Sequence, residues 1–247
     1  MRILLINPNT TESMTAKAAV AARAVAAPGT EIIAATSPMG PVSIEGHYDG
    51  ALAIPGLLSE LQTRQATGYD AAIISCFDDT GLDAARSLLD VPVLGLCESA
   101  IATAGFLAQR FTVVTTMERS RVLIENLVRH YGMGDRAKVR ASDIPVLALE
   151  AAAPAELRRL HDEIEKALAQ DGAEAIVLGC AGMADLAKTL QDRYGVPVID
   201  GVAAAVKQAE ALVSLGLTTS KRGSYAAPLP KPFTGDMRRF STARMAD

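Results

Sequence analysis

The residues best suited to acid–base or nucleophilic work are three cysteines, Cys76, Cys97 and Cys180. Two of them occupy matching contexts. Cys76 ends the run Ala72-Ile73-Ile74-Ser75-Cys76, and Cys180 ends Ala175-Ile176-Val177-Leu178-Gly179-Cys180. After each comes a short helical pattern and then a Val-Pro-Val segment, starting at Val91 in one case and Val196 in the other. A lone strand-end cysteine is ordinarily a small buried hydrophobe, and Cys97 is read that way. A pair in equivalent places is different. If two like halves face each other across a pseudo-twofold axis, both thiols look into one cleft from opposite sides. Like groups on opposite faces of one carbon suit stereochemical inversion, in which one removes a proton and the other returns one. The strand-to-helix junctions after both cysteines also offer free N–H groups. Such a setting is expected to lower a thiol pKa from ~8.5 toward neutrality and to hold an oxyanion.

Other polar residues have weaker claims. Asn7-Pro8-Asn9-Thr10 closes the first apolar run, and Thr115-Thr116 closes its equivalent. Thr10 or Thr11 reads as a helix cap, while Asn7 and Thr115 are expected to reach a ligand at the mouth of the cleft. His47 follows a Gly/Pro-rich loop and is the local rival for a base, but it lacks a partner in the other half; a pocket rim or solvent is expected. Of Asp78 and Asp79, one is expected to cap the following helix and complement its dipole. His47, His130 and His161 are scattered, no C-x-x-C pair occurs, and neither a metal site nor a disulfide framework is expected.

These residues must be carried by regular elements, and the pattern supplies them. Strands are predicted at 2–7, 31–36, 71–75, 91–96, 110–115, 138–143, 175–178 and 196–199. Helices are predicted at 11–27, 51–67, 81–89, 99–109, 120–129, 154–170, 184–194 and 202–215. The segment Pro145 to Ala153 has no clear assignment. Strand–helix alternation predicts an α/β fold of open, mostly parallel sheets flanked by helices. The starts of the halves also correspond, Arg2 to Asn7 against Arg110 to Thr115. Two similar lobes are therefore expected, residues 1–98 and 99–215, related by a pseudo-twofold with the site between them. Ligands of such sheets sit beyond the carboxyl ends of the strands, where both cysteines lie. The Pro- and Arg-containing remainder, 216–247, reads as a tail without its own core.

Composition bounds the function. The chain has 247 residues, 49% of them hydrophobic and 4% aromatic, with no tryptophan and a formal net charge of -4. That supplies a sizeable core of small aliphatic residues. It disfavours a nucleic-acid partner, which needs basic surface and stacking platforms. No apolar stretch approaches the ~18 residues of a membrane span, and no secretory signal is visible; a cytoplasmic location is expected.

Several segments together resemble the Asp/Glu/hydantoin racemase superfamily, and within it the hydantoin and allantoin racemase branch. They are Ile6-Asn7-Pro8-Asn9-Thr10, Gly40-Pro41-Val42-Ser43-Ile44-Glu45-Gly46, Ile74-Ser75-Cys76-Phe77-Asp78, Val114-Thr115-Thr116 and Leu178-Gly179-Cys180-Ala181-Gly182-Met183. The resemblance runs over nearly the whole chain. It implies a cofactor-independent isomerase, without pyridoxal or metal, acting on a small hydantoin-type ring as a homo-oligomer. Cys76 and Cys180 would exchange the C5 proton as a thiolate/thiol pair. The implied substrate-binding residues are Asn7, Met39, Pro41, Ser75, Phe77, Thr115, Thr116, Gly179, Ala181 and Gly182. The substituent on C5 would be sensed by the loop from Met39 to Ile44 and by Phe77, with Met39, Val42 and Phe77 as apolar lining. The alternatives are a two-lobed binding domain and a superfamily decarboxylase or isomerase.

Overall fold

The computed structural model describes residues 1–150 and 153–241. The first half runs β1 (Arg2–Asn7), α1 (Glu12–Val25), β2 (Glu31–Thr36), α2 (His47–Arg64), β3 (Ala71–Ile74), α3 (Leu82–Leu88), β4 (Val93–Gly95) and α4 (Leu96–Leu107). The second runs β5 (Phe111–Thr115), α5 (Glu118–His130), β6 (Ala137–Ala141), α6 (Pro154–Lys166), β7 (Ala175–Gly179), α7 (Ala187–Tyr194), β8 (Val198–Asp200) and α8 (Gly201–Ser214). The strands form two four-stranded sheets, ordered β2-β1-β3-β4 and β6-β5-β7-β8, and every pairing is parallel. The halves thus share one topology as well as the sequence echo. The fully buried runs Leu4-Leu5-Ile6 and Ala71-Ala72-Ile73-Ile74 are what a sheet covered on both faces requires.

Helices bind the lobes together. One continuous core takes Ile3, Leu5 and Ile73 from the first sheet, Val113 and Val177 from the second, and Ala100, Ile101, Val202 and Val206 from α4 and α8. The helix that ends each lobe packs on the other as well: α4 contacts β7 and β8, and α8 contacts β3 and β4. Separate cores lie on the outer faces, around Leu57 and Leu61 in the first lobe and around Leu160 and Ile164 in the second.

Element boundaries depart from the sequence pattern where side chains intervene. The helix expected over 184–194 is a 3-10 segment, Ala181–Leu186, leading into α7. It is tightened at its start because Cys180 accepts the Gly182 N–H on sulfur and the Met183 N–H on its carbonyl. In the unassigned stretch, Val146–Glu150 forms a 3-10 helix, and residues 151 and 152 lie outside the described residues. The tail wraps the first lobe: Thr219 bonds the carbonyls of Asp90 and Val91, Lys221 those of Arg86 and Ser87, and the Tyr225 hydroxyl Asp83. Its last residues, 242–247, lie outside the described residues.

The loop carrying Cys76 is held by a long-range helix cap. The residue before α4 is Gly95, which has no side chain to offer. Asp79 takes that role from a distant turn. Its Oδ1 accepts the Cys97 N–H and its Oδ2 the Glu98 N–H, both at 3.0 Å, and Tyr131 of the second lobe donates its hydroxyl to Oδ2 at 2.8 Å. Asp79 reaches this position in the left-handed region, φ 47°, which aspartate tolerates better than most residues. A Cβ on Gly95 would lie 2.3 Å from the Asp79 carboxyl carbon. So an aspartate does cap a helix, but it caps α4 and not α3, the helix that directly follows it. Removing the cap and its tyrosine bond by Asp79→Ala is expected to cost about 2–3 kcal/mol. Gly95→Ala, which displaces the same carboxylate, is expected to cost about 1–3 kcal/mol. Urea unfolding measures both. A double variant no less stable than the worse single variant is expected, because the two lesions remove one interaction.

Candidate active site

Strand order sets the place of the site. In each sheet the order of strand addition reverses between the first and third strand of its half, and a cleft opens beyond the carboxyl ends at such a point. In the first sheet those ends lead into Ser75 and Cys76, and in the second into Thr116, Gly179 and Cys180. The two ends meet in one cleft, lined by Asn9, Met14, Ile44, Ser75, Cys76, Phe77, Asp78, Thr116, Ser120, Val146, Gly179, Cys180 and Ala181. Glu45 helps close it from the first lobe by accepting the Val146 N–H at 3.0 Å. Lys17 of α1 pairs with Asp185 of the second lobe at 3.1 Å.

Both thiols are free and each has a local donor. The Thr80 hydroxyl lies 3.5 Å from the Cys76 sulfur, and the Gly182 N–H lies 3.4 Å from the Cys180 sulfur. Neither thiol is acidified on balance. Burial raises Cys76 well above an ordinary thiol; Asp78 raises it further, against the lowering effect of Thr80 and the Asp78 N–H, and Cys180 adds a smaller increment. Burial likewise pushes Cys180 up to about 11, against the lowering effect of the Gly182 N–H. The expectation of thiols lowered by helix N-termini is therefore corrected. Around these sulfurs the lost hydration of a thiolate outweighs one or two weak donors. Cys97 is wholly buried in the central core and does not line the cleft.

Of the substrate-binding residues read from the sequence, the structure brings Ser75, Phe77, Thr116, Gly179 and Ala181 together with the two cysteines. Gly182 stands just behind, its N–H turned to the Cys180 sulfur. Gly179 must lack a side chain, since a Cβ there would come within 2.8 Å of the Thr115 Cα on the neighbouring strand. Four residues lie elsewhere. Asn7 is turned inward, its amide donating to Asn9 Oδ1, the Thr11 carbonyl and the Thr15 hydroxyl, while its oxygen accepts the Asn9 N–H. Thr115 is buried and donates to the Gly179 carbonyl. The Pro41 carbonyl accepts from Thr10, and the Met39 sulfur meets Arg239 of the tail. Val42, expected as lining, is exposed. His47 is exposed outside the cleft.

The residues missed by sequence reasoning are Asn9, Met14, Asp78, Ser120 and Val146. Asn9 was within reach: it stands two positions from Asn7, and a strand-closing Asn-Pro-Asn leaves open which amide turns outward. Among the described residues its amide nitrogen donates only to the Met14 sulfur, at 3.5 Å, a weak acceptor. Ile44 replaces Met39 and Val42 as the loop's apolar contribution. Ser120 and Val146 carried no signal, because only the packing of the second lobe brings them to the cleft.

The comparisons with known proteins agree with this geometry. The family model Asp/Glu/Hydantoin racemase matches residues 3–209. A hydantoin racemase of Rhizobium meliloti is 51% identical over 95% of this chain and 98% of its own length. A hydantoin racemase of Pseudomonas sp. (strain NS671) is 45% identical over 97% of both chains. The structure of an allantoin racemase from Klebsiella pneumoniae superposes with a TM-score of 0.94 at 44% identity, covering 98% of this chain and 99% of that one. The chain belongs to the Asp/Glu/hydantoin racemase family.

Two measurements follow from the electrostatics. Because Cys180 titrates near 11, its alkylation by iodoacetamide is expected to climb about tenfold per pH unit from pH 7 to 10, and to outpace Cys97 throughout. A rate already level at pH 7 would contradict the raised thiol pKa. Burial alone pushes Asp78 up to about 7, above its ordinary 3.8. The folded state then holds this proton more tightly than the unfolded chain does. The Asp78 contribution to stability is greatest below about pH 4 and is lost as pH rises toward 7. In urea titrations at pH 5 and pH 8, wild type is expected to lose more stability between the two than Asp78→Asn; parallel losses would contradict the assignment.

Proposed function

We propose that this protein racemises 5-substituted hydantoins, with Cys76 and Cys180 as the two acid–base groups at C5. The observation that carries the reading is the arrival of both thiols in one cleft, from equivalent strand ends of two like lobes. The names of the similar proteins, hydantoin racemase and allantoin racemase, supply the ring.

In one direction a thiolate on one cysteine takes the C5 proton. The C5–H bond breaks, an S–H bond forms, and the electron pair moves toward the C4 carbonyl as an enolate. The thiol of the other cysteine then delivers its proton to the opposite face of C5. The net change is inversion, and the roles interchange for the other enantiomer. Raised thiol pKa values suit this task once a single charge is shared: a thiolate of raised pKa is a strong base, and its partner keeps its proton. Asn9, in place of the inward-turned Asn7, is the side-chain amide available to a ring oxygen. Met14, Ile44, Phe77 and Val146 make the cleft's apolar surface, which favours an apolar C5 substituent over a ureido group.

One pure enantiomer of a 5-alkylhydantoin, followed by circular dichroism, tests the reading. The signal is expected to decay to zero while chromatography finds no new compound; a decarboxylase or ring-opening enzyme would give a product, and a binding domain no decay. Cys76→Ser and Cys180→Ser are each expected to lose racemisation by at least about 10³-fold. Deuterium uptake at C5 from one enantiomer only is expected to survive in a single variant, since a base alone suffices for it. Substantial racemisation by either variant would sink the two-cysteine mechanism.

A further inference from the structure

Asp78 is left over when the thiols have been assigned. It lies two residues after Cys76 and lines the same cleft. Its Oδ2 is buried and meets no hydrogen-bond partner among the described residues. No lysine or arginine there pairs with it, in contrast to Asp171, which is held by Arg140. Nor does it cap a helix, the neighbouring Asp79 having that role. An unsatisfied buried carboxyl costs stability, and such groups in native proteins call for an explanation.

Charge decides its form. An ionised Asp78 opposes ionisation of both Cys76 and Cys180. Asp78 is more acidic than either thiol, so a thiolate can act beside it only while a bound partner keeps the carboxyl protonated and neutral. Burial favours the same state, pushing its pKa up to about 7.

A neutral carboxyl presents an O–H donor and a C=O acceptor side by side. The group that complements it is a cis amide, whose C=O and N–H also point the same way, as ring closure forces in a five-membered lactam or imide. Two antiparallel hydrogen bonds then form at once. In a hydantoin the C4 carbonyl and N3–H make such an edge, and that carbonyl gains charge when C5 loses its proton. A donor set there strengthens in the transition state.

Resting on the hydantoin reading above, we propose that Asp78 is the specificity-determining group of the cleft: as the neutral acid it pairs with the cis-amide edge of the ring, donating to the C4 oxygen and accepting from N3–H. Substrates whose reacting carbon is flanked by an open carboxylate lack this edge and are excluded by it.

The test compares wild type, Asp78→Ala and Asp78→Asn by circular dichroism, on a 5-alkylhydantoin and on its N3-methyl derivative. Asparagine keeps a donor and an acceptor on one edge; alanine keeps neither. Asp78→Ala is expected to lose about 10²-fold in kcat/KM, as for loss of one donor to a developing oxyanion. Asp78→Asn is expected to restore most of it. The penalty for N3-methylation is expected to be large in wild type and to shrink in Asp78→Ala, which a merely structural role would not produce. The role is overturned if Asp78→Ala stays within about threefold of wild type, or if Asp78→Asn, folded by far-ultraviolet circular dichroism, is as damaged as alanine. Either result leaves the two-cysteine reading intact when wild type racemises and the serine variants do not. A wild-type protein that leaves the enantiomer unchanged overturns the hydantoin reading, and the Asp78 pairing with it.

Discussion

The carboxylate of Asp79 is the constraint on which the site depends. Three donors converge on it: two N–H groups at the start of α4 and the Tyr131 hydroxyl from the other lobe. Because the aspartate belongs to the loop after Cys76, one interaction orients that loop, starts a central helix and ties the lobes. The second lobe solves the same problem locally. Asp200 begins α8 and accepts the N–H groups of Val202 and Ala203 with its own side chain. The position equivalent to Asp200 in the first lobe is Gly95, whose missing side chain leaves room for Asp79. The internal repeat is thus broken at one point, and the break brings the Cys76 loop under the control of the lobe interface.

This asymmetry extends to the chemistry. Cys180 starts a 3-10 turn and receives one backbone N–H, whereas Cys76 receives a threonine hydroxyl together with a backbone N–H and feels Asp78 more strongly. The two thiols consequently differ in basicity although their strands are equivalent. A two-base cycle between enantiomers needs each thiol in either protonation state, and burial raises both together. Under the proposed reading, polar groups of a bound ring would replace part of the hydration that burial removed and make the thiolate accessible there.

The interior explains how such a cleft stays small. The central layer is built largely of alanine and valine, including Ala18, Ala19, Ala22, Ala100, Ala104, Ala205, Val206 and Ala209. Small side chains let α1, α4 and α8 approach one another closely, and the two sheets are held near enough for strand ends of both to meet. Glu45 and Lys17 add contacts across the opening. A core of larger residues would separate the strand ends that carry the thiols.

Much of this was legible in the sequence because it depends on local pattern. Apolar runs alternating with helical periodicity determined the parallel α/β class. The repeated strand–cysteine–helix–Val-Pro-Val order determined that Cys76 and Cys180 occupy equivalent ends, and the motifs around them pointed to the family. Tertiary structure decided the rest, since it turns on which of two neighbouring groups faces the cleft and on contacts distant in the chain. Asn7 and Asn9 have the same side chain, and only the seating of Asn7 against Thr11 and Thr15 of α1 sends Asn9 to the cleft. The loop from Met39 to Ile44 offers several apolar residues, and its path delivers Ile44 while Val42 faces solvent. The thiol pKa values went opposite to the local expectation, because a helix N-terminus can be read from sequence but the loss of water around a sulfur cannot. Desolvation depends on every element packed around the atom, and that is a property of the assembled fold alone.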